Sequence, residues 1–480
     1  MPDLAEVLDT AEDSGFVVAP AGYGKTHLIA SSVALSKRRQ LVLTHTYAGA
    51  NALRRKMCEL CVPSSLYQID TIASWALRLT LSYSHTSGWE VERPQDNEWK
   101  GMYSACATLL KEPFIRGIIR ASYAGLYVDE YQDCSRRQHA VVTALARDLP
   151  CRILGDPLQA VFDFDGQELV DWDRDVAGAG WKQLGKLDVP HRWNRANAPE
   201  IGKWLYKVRQ KLEAGESIDL TEDLPEGVDF KHASDANDLI VFQANSCRGF
   251  RCEKDETVIA IHKGDGRYKA KCHVLAKKTN GRFSSIEEIE GKSLFDFFSK
   301  IDRANTPKKR LNTLVEFSNK CMTAVNTNLP AATKRGEIVN IQSNTKNAPI
   351  AHAANAYLAV ANAAQMMAFF SALRAAPRVT VARADLFNRT LGVLRKHALH
   401  PELTLREAAE KYHGEFRYKG RPVGHRKLIG TTLLVKGLEF QHAIVLDAAS
   451  LTRNELYVAL TRGSKSLKII SSKKQLCPTS

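Results

Sequence analysis

Two kinds of apolar pattern alternate from residue 16 onward. Short runs without internal periodicity, "FVVAP" and "QLVLTHT", read as buried strands. Each is followed by a stretch with apolar positions every three or four residues, "THLIASSVALSKR" and "AGANALRRKMCEL", which reads as a helix. Strands alternating with helices predict a parallel sheet covered by helices. The strand style returns at "GLYVDE" and "CRILGD", so the first part of the chain is expected to build one α/β core. Residues 78–118 carry Trp89, Trp99 and mixed charge without that alternation and read as a short insertion. A second α/β core is expected to begin near "LGKLDVPHRW", to continue through "DLIVFQA" and "ETVIAIHKG", and to resume at "KLIGTTLL", "HAIVLDAAS" and "SLKIISS". Its middle contains long helical patterns such as "AANAYLAVANAAQMMAFFSALRAA", whose Met and Phe stripe reads as helix-packing core. The expected division is therefore 1–77 with 119–185 as the first core, 78–118 as its insertion, 186–283 with 428–480 as the second core, and 284–427 as a helical insertion in it.

Composition narrows the class. An apolar share of 44% over 480 residues supports packed cores rather than disorder. Lys and Arg number 67 against 53 acids, a formal charge of +14 that favours a polyanionic partner, with plain solubility as the alternative. Ten cysteines in so long a chain do not form a disulfide scaffold, and Cys58 and Cys61 lack a second pair at zinc-finger spacing. No apolar run approaches the ~20 residues of a membrane span, and the acidic start "MPDLAEVLDTAEDSG" lacks a signal pattern. A cytoplasmic protein without a membrane partner is expected.

Two stretches carry chemistry. "VVAPAGYGKTHLIA" sets Gly22, Gly24, Lys25 and Thr26 between an apolar run and the start of a helix. Glycines there let backbone N–H groups close on phosphates, the helix N-terminus favours negative charge, Lys25 reaches the outer phosphates and Thr26 can hold Mg²⁺. The generic pattern GxxxxGK[ST] has its first glycine replaced by Ala19. A chance turn in a structural protein is the competing reading, and it requires strand, loop and helix to coincide. The second stretch, "LYVDEYQDCSRR", ends an apparently buried strand in adjacent carboxylates, which are costly to bury without a cation. A nucleotide-bound Mg²⁺ neutralising Asp129 would leave Glu130 to orient or activate the attacking water.

With "APAGYGKT" and "DEYQD" the sequence resembles the UvrD/Rep-type superfamily 1 helicases, and further stretches match in the family's order: "LVLTHTYAGANALRRKM", "IDTIASWAL", "LGDPLQAVFDFDG", "LDVPHRW", "TTLLVKGLEFQHAIVL" and "LYVALTRG". The resemblance implies an α/β fold of two RecA-like parallel-sheet P-loop cores, each with an inserted, mainly helical segment. It implies that ATP, with Mg²⁺ on Thr26 and Asp129, is hydrolysed at the cleft between the cores, and that the nucleotide is lined by Gly22, Tyr23, Gly24, Lys25, Thr26 and His27. Gln159 would sense the γ-phosphate, while Arg192 and Arg462 would reach across from the second core to stabilise the transition state. Glu439 would hold the ribose, and His191 stands where the family has an adenine-stacking tyrosine, with core packing as its other role. For DNA the resemblance implies contacts from His45, Thr46, Tyr47 and Thr71, and base stacking by Phe162 and Phe164. Two alternating phenylalanines also fit one face of a strand, and Arg54, Arg55 and Lys56 fit either a phosphate track or a solvated helix face.

The sequence departs from the family in four places. The glutamine that reads adenine upstream of the phosphate loop is missing, Leu433 replaces the histidine of "TxHxxKGLEF", the first insertion is short, and the chain stops soon after "LYVALTRGSKSLKIISS". Two functions follow as expectations: a 3′ to 5′ translocase or helicase on single-stranded or 3′-tailed DNA, or a DNA-sensing ATPase subunit that regulates a separate partner such as a nuclease.

Overall fold

The computed structural model describes residues 3–95, 97–161, 168–288, 291–419 and 425–478. The chain divides into two compact units, one of Met1–Glu216, Thr452–Lys465 and Pro478–Ser480, the other of Ser217–Leu451 and Ser466–Cys477.

The first unit is built on six strands: β1 (Gly15–Val18), β2 (Gln40–Thr44), β3 (Tyr67–Thr71), β4 (Gly125–Val128), β5 (Cys151–Gly155) and β6 (Lys182–Lys186). They lie in the order β3-β2-β4-β5-β1-β6, and every neighbouring pair is parallel. The central strands β2, β4 and β5 are buried at every position because helices cover both faces, which is why their sequences are mainly apolar, with Gln40 and Thr44 at the ends of β2. Arg152 in β5 is their one charged residue, and its guanidinium is satisfied by the carbonyls of Leu8, Asp9 and Ala11 at 2.7, 3.0 and 2.7 Å. The edge strand β6, "KQLGK", is half exposed and accordingly polar. Register sets the site: Val18 lies opposite Gly155 and Val128 opposite Ile153. The residues that follow β1, β4 and β5 therefore emerge at one edge of the sheet, the carboxyl edge where α/β proteins bind ligands.

The helices Glu98–Leu109 and Pro113–Ser122 do not stand apart from this unit. Met102, Tyr103, Cys106, Leu109, Ile115 and Ile119 share one buried cluster with Leu41, Leu43, Leu126 and Val128 of the sheet.

In the second unit a short antiparallel pair joins β7 (Ile218–Asp219) to β14 (Gln475–Leu476). The main sheet contains β8 (Val228–His232), β9 (Val258–His262), β10 (Ser284–Ser285), β11 (Lys427–Thr431), β12 (Phe440–Val445) and β13 (Gly463–Ser471), in the order β10-β11-β9-β12-β13-β8. "DLIVFQA", expected within this core, lies in the helix Ala236–Gly249. A short apolar run does not by itself distinguish helix from strand, and here the strand is the preceding polar "VDFKH" of β8. The helices Lys292–Arg303, Pro307–Cys321, Ala348–Ala359, Ala363–Ala375 and Ala384–Leu399 form a separate apolar cluster, in which Met366, Phe369, Phe370 and Phe387 are buried. None of the ten cysteines is paired, and among the described residues no helix is long and apolar enough to cross a membrane.

Candidate functional site

The chain leaves β1 at Ala19 and turns into the helix Lys25–Leu35. Gly22 (φ 78°) and Gly24 (φ 95°) hold the left-handed backbone that the turn requires, a region costly for side-chain-bearing residues. A Cβ on Gly22 would also meet Arg192 and Trp193 at 2.9 Å. Ala19, which stands where the generic phosphate loop has glycine, is not among the left-handed residues, so a methyl group is tolerated there. Its N–H donates to the Gly155 carbonyl at 2.9 Å, and its carbonyl accepts from Lys25 Nζ at 3.3 Å.

Lys25 is buried, and its ammonium lies 3.4 Å from Glu130 Oε1. Burial disfavours its charge, but Glu130, Asp129 and Asp156 together outweigh that cost and raise its pKa. Asp129, at the end of β4, is also buried; desolvation and the neighbouring Glu130 carboxylate push its pKa up, with Lys25 opposing. Its carboxylate accepts the Glu130 N–H at 2.9 Å. Glu130 adopts a left-handed backbone (φ 56°), a strained conformation that aims its side chain at Lys25, and Gln132 Nε2 donates to its other oxygen at 2.5 Å.

Gln132 links the two acids to β5, because its Oε1 accepts the N–H of Asp156 at 2.9 Å. Asp156 is fully buried and receives three side chains or amides: Arg209 at 2.7 Å, Gln159 Nε2 at 2.8 Å and the Leu158 N–H at 3.3 Å. Arg209, from the helix Pro199–Ala214, also donates to the Tyr457 hydroxyl at 3.1 Å. Burial disfavours its charge, and Asp156 more than restores it, so its pKa is raised. Gln159 Oε1 in turn accepts from Arg462 at 3.3 Å, and Arg462 is anchored on the Val458 carbonyl at 2.9 Å.

Arg192 and Arg462 were expected on the second core. Both lie in the same compact unit as the phosphate loop. The Arg192 N–H donates to the Gly22 carbonyl at 3.0 Å, its guanidinium to the Thr461 carbonyl at 2.7 Å, and Trp193 Nε1 to Gly463 O at 3.0 Å. The same packing brings the exposed His191 ring to 3.3 Å from a Cβ position on Gly24. Tyr23 is buried against Trp193, and burial raises its pKa to about 12. Thr26 is half-buried and His27 exposed; burial, then Lys56, His191 and Arg195, lower the His27 pKa. Glu439 is exposed in the second unit, just before β12.

The expected DNA residues gather where β2 and β3 end. Thr46 accepts the Gly49 N–H at 3.0 Å and caps the helix Tyr47–Glu59; Thr71 accepts the Ser74 N–H at 3.0 Å and caps Ile72–Ser82. The Tyr47 hydroxyl meets Ser74 Oγ at 2.8 Å, and His45 Nε2 lies 3.3 Å from Cys134 Sγ. Phe162 and Phe164 lie outside the described residues. Of the basic run, Arg54 is bound to the Ile69 carbonyl and Lys56 pairs with Glu59.

The donor set fits Mg²⁺. A hydroxyl from Thr26 and a carboxylate from Asp129 are hard oxygen ligands that leave the remaining positions to phosphates and water. A buried acid with a raised pKa beside a second carboxylate is where a cation stabilises most. Among the described residues no cluster of three His, Cys, Asp or Glu side chains forms a protein-only metal cage.

A helix that opens on a glycine loop at the carboxyl edge of a parallel sheet, beside paired acids, defines a P-loop nucleotide-binding protein. Residues 90–170 match the family model described as UvrD/REP helicase N-terminal domain. That match covers the part of the chain that holds "DEYQD" and agrees with the resemblance carried by the motifs. Among curated proteins no sequence match is found. Similar solved structures include arterivirus nonstructural protein 10, a helicase, at 12% identity over 97% of this chain and 61% of that one (TM-score 0.36). The Pif1 helicase of Candida albicans is similar at 11% identity over 99% and 95% of the two chains (TM-score 0.43). The Bacteroides Pif1 helicase, solved with ADP-AlF3 and single-stranded DNA, is similar at 11% over 96% and 89% (TM-score 0.36). The chain spans about three fifths of the length of the arterivirus protein. The fold itself rests on this chain's own strand order, two six-stranded sheets with parallel pairing.

Four residues of the network escaped sequence reasoning. Gln132 and Asp156 lie inside the quoted stretches "DEYQD" and "LGDPLQ", so their position was a signal without a role. Arg209 and Tyr457 sit in ordinary helical patterns, and a contact between residues 248 positions apart leaves no local trace.

Proposed function

We propose that the chain hydrolyses ATP to move 3′ to 5′ along single-stranded DNA. The observation that carries this reading is the unbroken path Lys25–Glu130–Gln132–Asp156–Gln159–Arg462, which joins the phosphate loop, the paired acids, the sensor glutamine and an arginine within one compact unit. Lys25 is held by Ala19 and Glu130 and would exchange them for the outer phosphates. That exchange frees the Glu130 carboxylate, steadied by Gln132, to accept a proton from the attacking water. Gln159 would register the γ-phosphate, and Arg192 and Arg462 would stabilise charge on the transferring group. Thr26 and Asp129 would hold Mg²⁺, which supplies charge neutralisation on the phosphate oxygens when bound. Tyr23, His27 and His191 would border the nucleotide, with Glu439 on the ribose. His45, Thr46, Tyr47 and Thr71 would meet the strand, with Phe162 and Phe164 stacking on its bases. In this reading 78–118 and 284–427 are helical insertions in two RecA-like cores.

A second reading, a DNA-sensing ATPase with little unwinding, is favoured by one observation: the helices of the 78–118 segment are packed into the sheet's own core. A nuclease as the regulated partner has no support from the matches. The deciding experiment measures ATPase rate with and without single-stranded DNA, alongside displacement of 3′-tailed and 5′-tailed duplexes. DNA-stimulated ATPase with opening of only the 3′-tailed duplex supports the motor. Stimulation without displacement moves the assignment to the sensor, and absence of any stimulation defeats both. Glu130→Gln should bind nucleotide yet turn over about 10²–10³-fold more slowly; lost binding would show that the roles of Asp129 and Glu130 are reversed.

A further inference from the structure

Outside the nucleotide site, the first unit contains an open pocket of about 620 Å³ between the helix Glu98–Leu109 and the start of the helix Arg136–Leu145. Lys100, Arg136 and Arg137 face it together with Ser104, Ser135 and Glu168, three cations against one acid among the described residues. We propose that this pocket holds the phosphodiester backbone of a bound single strand. The proposal rests on the DNA-binding reading above.

Three features of the pocket argue for a polyanion. Arg137 is preset, because one of its nitrogens donates to the Lys100 carbonyl at 3.1 Å and to Ser104 Oγ at 2.9 Å, which orients the guanidinium without neutralising it. Among the described residues neither Lys100 nor Arg137 has a carboxylate partner. Arg136 does have one, Glu168 at 2.6 Å, but their side chains are 41% and 75% exposed, and such a pair contributes little in water. Successive phosphodiesters of one strand, each a monoanion, would meet Lys100, Arg136 and Arg137 together and compete with the single exposed Glu168 carboxylate for Arg136. The more distant Asp175, 3.9 Å from Arg136, leaves the balance positive. The Ser135 hydroxyl is already committed to capping the helix through the Gln138 N–H, so the helix terminus adds nothing.

The pocket is also tied to the sensor segment. Arg136 N–H donates to the Glu168 carbonyl at 3.0 Å and Val170 N–H to the Cys134 carbonyl at 2.9 Å, so the chain leaving "LGDPLQAVFDFDG" is clamped directly after "DEYQD". A volume several times that of one phosphate group suits a backbone rather than a lone anion.

The test is binding of a fluorescein-labelled oligothymidylate at several salt concentrations. The Lys100→Gln/Arg137→Gln double variant should lower the slope of log K against log salt by about 0.7 per lost contact, and affinity near 0.1 M salt roughly fivefold per contact. Glu168→Gln, an exposed position that threatens no fold, should shift affinity in the opposite direction by freeing Arg136. ATPase activity without DNA should stay unchanged in all three positions, since none touches the nucleotide set. An unchanged slope in the double variant, or no tightening in Glu168→Gln, overturns the pocket while leaving DNA binding standing. Failure of the wild-type protein to bind the oligonucleotide overturns the underlying reading instead. Competition by a polyglutamate peptide for the pocket, with oligothymidylate binding intact, would overturn the proposal and reassign the pocket to an acidic protein segment.

Discussion

Along the carboxyl edge of the one parallel sheet two stretches differ, a nucleotide edge behind β1, β4 and β5 and a second edge behind β2 and β3. Behind β1, β4 and β5 the polar side chains are buried and hold one another: Lys25 to Glu130, Glu130 to Gln132, Asp156 to Arg209 and Gln159. Behind β2 and β3, Thr46 and Thr71 accept N–H groups of their own helices, and Tyr47 rests on Ser74. The first arrangement is costly unless a charged ligand joins it, because buried charges repay their desolvation only when their partners are complete. The second is satisfied without any ligand. Motif membership therefore means different things at the two edges: at the nucleotide edge it marks groups with an unmet electrostatic need, and at the other it marks residues that the fold already requires as helix caps.

The largest expected effect breaks the nucleotide edge at its centre. Lys25→Ala removes the cation that answers Glu130 and Asp129, and hydrolysis should fall by at least about 10²–10³-fold. ATPase assays on a variant with a normal melting transition check this. Wild-type turnover would dissolve the contrast between the edges, because the buried charges would then serve stability alone.

Next in size is the pair that sequence did not reveal. Arg209→Ala leaves the fully buried Asp156 without its ion partner and should cost about 3–5 kcal/mol in denaturant unfolding. Replacing both, Arg209→Leu with Asp156→Asn, should recover much of that stability but not the ATPase rate, since Gln159 loses the carboxylate that holds its amide. If the double variant hydrolyses ATP normally, the pair is a stability feature only.

These residues show what was legible. The phosphate loop and Asp129-Glu130 could be read because their chemistry is local: a strand, a turn needing positive φ and a helix start occupy consecutive positions. The parallel sheet was legible from the apolar runs of β2, β4 and β5, which burial on both faces demands. Arg209 with Tyr457, and the placement of Arg192 and Arg462 beside the loop, depend on segments far apart in the chain. The run "DLIVFQA" could be assigned to the second core but not to an element, because a short apolar run fits helix and strand alike; it is a helix, and the polar "VDFKH" before it is the strand.

A smaller effect sharpens the comparison through pH. Asp129 has its pKa raised by burial and by Glu130, so in the nucleotide-free protein its ionised form is disfavoured relative to the unfolded chain. The folded state then loses stability as pH rises past the ordinary carboxylate range, and below that range, where both states are protonated, the effect vanishes. Asp129→Asn should accordingly melt higher than the wild type near neutral pH, by about 2–4 °C for each kcal/mol released, and show no advantage at acid pH. Magnesium and nucleotide should raise the wild-type melting temperature and leave the variant's nearly unchanged. A variant less stable than the wild type at neutral pH would mean that Lys25 alone already compensates the charge.

The smallest effects belong to the other edge and test whether its threonines do more than cap. Thr46→Ala and Thr71→Ala each remove the oxygen that accepts an N3 amide, and each should cost about 1 kcal/mol of stability. Thr→Ser at either position keeps that oxygen and should restore the loss. The informative measurement is oligonucleotide affinity well below the melting transition, where a lost cap no longer unfolds anything. If the Ala variants bind the strand as the wild type does, the hydroxyls serve the helices alone and contact with DNA at this edge falls to His45 and Tyr47. If affinity drops in the Ala variants and returns in the Ser variants, the capping hydroxyl positions the helix N-terminal amides that meet the strand. A drop that Ser does not restore places the contact on the threonine methyl group, which no capping role explains.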